Sequence, residues 1–258
     1  MQKQTALITG ASSGIGRALA HEFARNGWDL VLVARRTQLL NDLAREIKST
    51  ATVDVSIIAL DLTTSNAARA LFDEVASRNL VIDCLINNAG RGHFGPFVQQ
   101  DWRTDEETID LNVTVLTSLC HLFAEPMVSR RHGHILNIAS IAGFMPGPNL
   151  AVYHASKAYV LSLSQALHAE LSDHGVSVTA SCPGPTQSEF FDKAGTSTMK
   201  AMDYVKLMSA ETVAKQAYKA TVKGQTIVVH GAFNRLMAES PRLLPKSWIA
   251  PIVKAVMK

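Results

Sequence analysis

The chain is poor in the features that mark several large classes of protein. Its three cysteines, Cys84, Cys120 and Cys182, are odd in number, far apart and in neither C-x-x-C nor zinc spacing. Such a set does not make a disulfide scaffold and reads as reduced structural thiols in a cytoplasmic protein. No run of about 18 apolar residues occurs, so no helix is expected to cross a bilayer. The apolar run in "MQKQTALITG" is too short for the hydrophobic part of a secretory signal. Charged residues are only 18% of the 258 residues, and the net charge is +3. That balance lacks the dense basic stripe of a nucleic-acid binder, so no such partner is expected. The nine histidines are scattered, no His, Asp or Glu cluster has metal-ligand spacing, and no metal is expected. Internal repeats, low-complexity tracts and linkers are also missing, which favours one domain over residues 1–258.

What is present is an alternation. Seven short runs, Thr5–Thr9, Asp29–Ala34, Val55–Leu60, Ile82–Asn87, His134–Ala139, Val176–Ser181 and Thr226–His230, are rich in Val, Ile and Leu. They are continuous rather than alternating in polarity, as strands covered on both faces should be. Between most of them apolar residues recur at three- and four-residue spacing, over Gly14–Asn26, Gln38–Ser49, Ala67–Arg78, Glu107–Arg130 and Tyr153–His174. Strand alternating with helix predicts right-handed crossovers and an α/β fold: a doubly wound, mostly parallel seven-stranded sheet with helices on both faces.

The first strand runs into "TGASSGIGRALAHEF", with Gly10, Gly14 and Gly16 at the turn from strand to helix. Glycine there can take positive φ and lets backbone N–H groups approach a pyrophosphate at a helix N-terminus. Such a turn can also serve only to pack helix on sheet; its place after the first strand of a βαβ series favours a nucleotide. Farther on, "AVYHASKAYV" puts Tyr153 and Lys157 four residues apart, on one helical face and roughly 5–6 Å from each other. Alone, that pair reads first as a surface tyrosine with a basic neighbour, since the spacing occurs by chance in many helices.

The spacing T-G-x-x-x-G-I-G resembles that of the short-chain dehydrogenase/reductase family. The likeness continues in order through "NNAG" (Asn87–Gly90), Asn112 in "LNV", Ser140 in "IASIAG", the Y-x-x-x-K of Tyr153 and Lys157, and "PGPT" (Pro183–Thr186), over about residues 5 to 190. The resemblance implies a Rossmann fold and an oxidoreductase that moves hydride between a nicotinamide and a ketone, aldehyde or secondary alcohol. It implies a cofactor cradle of Gly10, Ser12, Ser13, Gly14, Ile15 and Gly16. Asp61 and Leu62 would lie at the adenine, and Asn88, Ala89 and Gly90 beside the adenosine. Pro183, Gly184 and Thr186 would lie at the carboxamide end.

The second strand ends in "VLVARRTQ", where an NAD-selective site would place an acid on the adenosine ribose. Arg35 and Arg36 stand there instead. A guanidinium suits a 2′-phosphate, so NADP(H) is the expected cofactor, with Arg17 adding positive potential. The alternative is that the two arginines only start the next helix on a solvated face. Asp61 has a second reading too, as a cap for a helix starting near Thr64.

The resemblance makes Tyr153 the general acid or base, Ser140 the donor to the substrate oxygen, Lys157 the holder of the nicotinamide ribose, and Asn112 the anchor of a proton-relaying water. A free tyrosine titrates near 10, and bringing it near 7 takes roughly 4 kcal/mol. One cation at about 5 Å contributes on the order of 3 kcal/mol at an effective dielectric of about 20. Lys157 and the oxidised nicotinamide are therefore expected to act together.

Three further features stay open. His154 points to another helical face than the tyrosine, and His93 is a candidate for the cleft mouth. The stretch of about 186–208, with Phe190, Phe191, Met199, Met202 and Tyr204, either lines an apolar pocket over the substrate or packs on itself. The tail of about 233–258 places Trp248, Ile249, Ile252, Val253, Val256 and Met257 on one stripe, with Arg242, Lys246, Lys254 and Lys258 adding charge. It reads as packing on its own subunit or a partner, or as a weak peripheral membrane contact. Pro251 interrupts the stripe or starts a helix. The family resemblance implies a homodimer or homotetramer through Glu107–Arg130 and Tyr153–His174. The rival to an enzyme acting on a fairly apolar carbonyl is a non-catalytic NADP-binding sensor or scaffold of the same fold.

Overall fold

In the computed structural model, which describes residues 3–189, 194 and 207–256, seven strands form one parallel sheet in the order β3-β2-β1-β4-β5-β6-β7. They are β1 (Thr5–Thr9), β2 (Asp29–Ala34), β3 (Val55–Ala59), β4 (Cys84–Asn87), β5 (Gly133–Ile138), β6 (Val176–Cys182) and β7 (Ile227–Val229). The helices between them are α1 (Gly14–Arg25), α2 (Thr37–Thr50), α3 (Ala67–Ser77), α4 (Trp102–Ile109), α5 (Leu116–Arg130), α6 (Ala151–Leu171) and α7 (Ala210–Val222). After β7 come α8 (Ala232–Glu239) and α9 (Lys246–Val256).

The strands are rich in apolar residues because both faces of the sheet are covered. Alternate residues go to opposite sides. Leu7, Val31, Val33, Leu85, Ile135 and Val178 join the core formed with α3, α5 and α6. Ala6, Ile8, Leu30, Leu32, Ile86 and Leu136 join the core formed with α1, α2 and α7. Phe23 and Leu19 of α1 are wholly buried there, and each such side chain contributes about 1.5–3 kcal/mol.

The chain order reverses between β1 and β4, which lie side by side, Leu7 opposite Leu85. A parallel sheet opens a crevice at such a switch point, beyond the carboxyl ends of its strands. The turn after β1 and the turn after β4 meet there.

Three expectations need correction. The helix expected over Glu107–Arg130 is α4, a π-helical segment Asp110–Val115 and α5, starting earlier at Trp102. Together, Trp102–Arg130 is long and apolar enough, by length and composition, to cross a membrane. Leu116, Leu119, Cys120, Phe123 and Met127 nevertheless face the core, which accounts for its apolar character. In the tail, α9 runs through Pro251, but the stripe divides: Ile249 is buried, while Trp248 and Ile252 are exposed. Phe190, Phe191, Met199, Met202, Tyr204, Met257 and Lys258 lie outside the described residues.

Candidate active site

The turn after β1 is shaped by backbone. Gly10 and Gly14 take φ of +65° and +53°, the left-handed region that favours glycine. A Cβ on Gly16 would stand 2.4 Å from the Gly10 carbonyl oxygen, so only hydrogen fits where α1 leaves the turn. Ser13, at the N-cap of α1, makes no side-chain capping bond, and no acid occupies the first turn. Backbone N–H groups at such an end suit an anion.

The turn after β4 locks onto this one. Thr9 Oγ1 accepts from the backbone N–H of Asn88 and of Ala89, both at 3.0 Å. Asn88 Nδ2 donates to the carbonyls of Thr9 (2.9 Å) and Gly10 (3.2 Å). Thr9 is a participant that sequence reading missed; its only signal was a buried hydroxyl at the end of β1. Gly90 faces the other way, toward Asn112 and Lys157.

Arg36 reaches the glycine turn and Arg35 does not. Arg36 Nη2 donates to Ser12 Oγ (3.1 Å) and Ser13 Oγ (2.9 Å). Arg35 turns to Asp61, Nη1 to Oδ2 at 3.7 Å. Arg17 pairs with Glu46 on α2, so its charge is partly neutralised away from the turn. Asp61 does not cap α3, which begins at Ala67; its Oδ1 accepts from Thr63 N (3.0 Å) and Thr63 Oγ1 (2.8 Å). Partial burial raises the Asp61 carboxyl, but the two Thr63 bonds and the Arg35 charge outweigh it and hold it below its ordinary value. Leu62 is buried in the core behind this corner.

The second group lies along α6 and the ends of β5 and β6. Ser140, 8% exposed, is the N-cap of a 3-10 turn, accepts from Ala142 N (3.1 Å), and hydrogen-bonds the Tyr153 phenol. Lys157, 6% exposed, donates from Nζ to the Ile138 carbonyl (2.8 Å) and stands 5.8 Å from the Tyr153 ring centroid. Burial pushes the Tyr153 hydroxyl up to about 12, against the Ser140 hydrogen bond that lowers it. Burial pushes the Lys157 ammonium down to about 8. The free protein thus holds a protonated phenol beside an ammonium that gives up its proton more readily than a free lysine.

Asn112 sits in the π-helical segment, a feature frequent at functional sites. Its Nδ2 donates to Arg91 O (2.8 Å) and Ser156 Oγ (3.0 Å), and its Oδ1 accepts from Arg91 N (3.0 Å). Both amide hydrogens are therefore used, and one lone pair of Oδ1 remains for a water. Ser156, one residue before Lys157, was not singled out from sequence.

Pro183 accepts through its carbonyl from Ile141 N (3.0 Å), which ties the end of β6 to the Ser140 turn. Gly184 packs against Asn234 of α8, where a Cβ would meet the amide at 2.4 Å. Thr186 is buried and donates to the Gly184 carbonyl at 2.9 Å. His154 is fixed by Met145 O (2.8 Å to Nδ1), packs on Gly147 and stands edge-on to the Tyr153 ring, centroids 6.1 Å apart; His93 is exposed. Among the described residues, no group of three His, Cys, Asp or Glu side chains is placed to hold a metal ion.

The residues fit a dinucleotide: a glycine cradle too tight for a Cβ, an uncapped helix end and a guanidinium on two turn hydroxyls at one end, and a Ser–Tyr–Lys group at the other. Fold and site define a nicotinamide-dinucleotide-dependent oxidoreductase of the Rossmann type. Residues 4–198 match the short chain dehydrogenase family model, and the chain belongs to that family. It is 37% identical to a sulfoacetaldehyde reductase of Chromohalobacter salexigens, over 89% of this chain and 90% of that protein. It is 32% identical to a very-long-chain 3-oxoacyl-CoA reductase of Rattus norvegicus, over 95% of this chain and 76% of that one. Among solved structures, a short-chain dehydrogenase from Sphingobium yanoikuyae in complex with NADPH superposes with a TM-score of 0.82 at 36% identity, covering 93% of this chain and 94% of that chain. The bulky-bulky ketone specific alcohol dehydrogenase from Comamonas testosteroni gives 0.79 at 32% identity, covering 94% and 93%.

Proposed function

We propose that the protein interconverts a ketone or aldehyde and the corresponding alcohol on a fairly apolar small molecule, with NADP(H) as the preferred cofactor and Tyr153 as the proton donor and acceptor. One observation carries the reading: Ser140, Tyr153 and Lys157 converge from the end of β5 and from α6, with the ammonium anchored on Ile138 and the phenol bonded to Ser140.

A bound nicotinamide cofactor would supply the hydride for the carbonyl carbon and, once oxidised, a positive charge. Tyr153 Oη gives its proton to the carbonyl oxygen as charge grows there, while Ser140 Oγ donates a hydrogen bond to the same oxygen. The phenol, held near 12 in the free protein, has to fall by several kcal/mol for exchange near neutral pH. Lys157 supplies part of that by Coulomb attraction, and its two hydrogens not used on Ile138 are available to ribose hydroxyls. Asn112 fastens the turn after β4 to α6 and holds any relay water through its one remaining lone pair.

The NADP(H) preference rests on the absence of an acid at the end of β2 and on Arg36 beside Ser12 and Ser13. A carbonyl substrate is in keeping with relatives named for carbonyl and alcohol chemistry; its apolar character is in keeping with those named for very-long-chain 3-oxoacyl-CoA and bulky ketones, whereas sulfoacetaldehyde carries a charged sulfonate. Two copies associate, in this reading, through the outer face of α6, where Ala151, Ala155 and Ala158 are exposed.

NADPH oxidation measured against a panel of aldehydes and ketones tests the enzyme reading. Turnover is expected for the wild type, and Tyr153→Phe should lower kcat by about 10³-fold while NADPH still binds. Tight NADPH binding with no turnover of any carbonyl would favour the sensor or scaffold instead.

A further inference from the structure

Arg36 makes a contact that the reading above does not use. Besides Ser12 and Ser13, its guanidinium donates from Nη1 to Glu189 Oε2 at 3.0 Å. Glu189 comes from 153 residues farther along the chain, in the stretch that leaves β6 three residues after Thr186. One cation is thus shared between two hydroxyls of the glycine turn and a carboxylate from the opposite half of the sheet.

The geometry bears on the choice between phosphorylated and unphosphorylated cofactor. A guanidinium binds carboxylate and phosphate with the same planar donors. A 2′-phosphate taken by Arg36 needs the donors that Glu189 now uses, and a carboxylate left within a few ångströms of it adds repulsion between like charges. A cofactor with a free 2′-hydroxyl meets neither difficulty. The two side chains are 40% and 45% exposed, so the pair is screened and can open at modest cost.

We infer that Glu189 is a specificity-determining residue for the cofactor: its carboxylate occupies Arg36 in the free protein and yields to the 2′-phosphate, so it weakens NADP(H) binding selectively. The inference rests on the proposal that Arg36 receives the 2′-phosphate. Discrimination against NAD(H) is then smaller than the absence of an acid on β2 would give by itself.

Dissociation constants for NADPH, NADH and 2′,5′-ADP, measured by calorimetry, test it with Glu189→Gln, Arg36→Ala and the double variant. Glu189→Gln should tighten NADPH and 2′,5′-ADP by about two- to fivefold and leave NADH unchanged, since an exposed ion pair is worth up to about a factor of five in affinity. Arg36→Ala should weaken NADPH and 2′,5′-ADP by tenfold or more. In the double variant the effect of Glu189→Gln should vanish. If Arg36→Ala leaves NADPH binding intact, the 2′-phosphate reading fails and this inference with it. If Arg36→Ala behaves as expected but Glu189→Gln leaves NADPH unchanged, or shifts NADPH and NADH equally, only the role of Glu189 is overturned. Glu189→Ala should reproduce Glu189→Gln, and unchanged thermal midpoints for both would exclude a folding effect.

Discussion

At the glycine-turn end of the crevice the charged groups stand in water. The Arg35, Arg36 and Asp61 side chains are 68%, 40% and 37% exposed, and their pairings are at salt-bridge distance without enclosure. At the other end, Lys157, Asn112 and Ser140 are 6%, 1% and 8% exposed, and each is held by hydrogen bonds to backbone or to a neighbouring side chain. Exposed charges are screened and adapt, so they tune affinity in small steps. Buried ones have no water to replace a lost partner, and moving or deleting one changes both the chemistry and the fold's energy. In the function proposed above, the same crevice combines an adjustable end for recognition with a fixed end for proton transfer.

The largest effect should come from the fixed end. Lys157→Met keeps an unbranched stem of similar bulk and removes the ammonium. Steady-state kcat at pH 7 should fall by about 10²- to 10³-fold, in the range of an electrostatic contribution of roughly 3–4 kcal/mol. A loss of only a few-fold would mean that the ammonium does not act on the phenol, and the contrast between the two ends would lose its chemical basis. Next in size is a backbone effect at the adjustable end. Gly16→Ala forces a methyl to 2.4 Å from the Gly10 carbonyl oxygen. The expected cost is about 1–3 kcal/mol in urea unfolding, with cofactor affinity reduced as the turn shifts. Unchanged stability and binding would show that the cradle yields more easily than its contacts indicate.

The fixed end was also the more legible in the sequence. Its helix periodicity over 153–174 and its spacing of Tyr153 and Lys157 follow from one period, and the structure has α6 there with both on the site wall. The strands were legible for a similar reason, since burial on both faces leaves continuous Val, Ile and Leu. What could not be read is where long-range partners decide a side chain's direction. "ARR" does not say that Arg36 turns to the serines while Arg35 turns to Asp61. Arg17 follows the glycine turn in sequence, yet Glu46 on α2 takes it. Nor does "DLNVTV" carry a Gly or Pro to announce the π-helical segment that holds Asn112; the distortion comes with tertiary bonds to Arg91 and Ser156. The C-terminal stripe failed for the same reason: which face of α9 is buried depends on what lies beneath it, and Ile249 rather than Trp248 found cover.

A further predicted effect separates the two ends by stability alone, without cofactor or substrate. Burial lowers Lys157 from an ordinary value of 10.5 to about 8 in the folded chain. Below pH 8 the ammonium is charged in both folded and unfolded chains, and the folded state bears the full desolvation cost. Between the two values the unfolded chain binds more protons than the folded one, so folding stability rises with pH as this cost is relieved. Tyr153 works in the opposite sense, because its folded value of about 12 lies above the ordinary 10, but only from about pH 10 upward. Burial also raises Cys84, Cys120 and Cys182 above their ordinary 9.0, which lowers stability from about pH 9 upward, but these thiols are common to both proteins and cancel when the wild type is compared with a variant at Lys157. In the window from pH 8 to 10 the difference between those two therefore belongs to Lys157. There, urea unfolding of the cofactor-free wild type should gain about 2 kcal/mol relative to Lys157→Met, a variant in which the linkage is gone. Arg36→Ala, which removes a guanidinium charged throughout the window and half in water, should run parallel to the wild type. If the Lys157→Met and wild-type curves also run parallel, the ammonium is solvated in the free protein, and the two ends differ less than their burial implies.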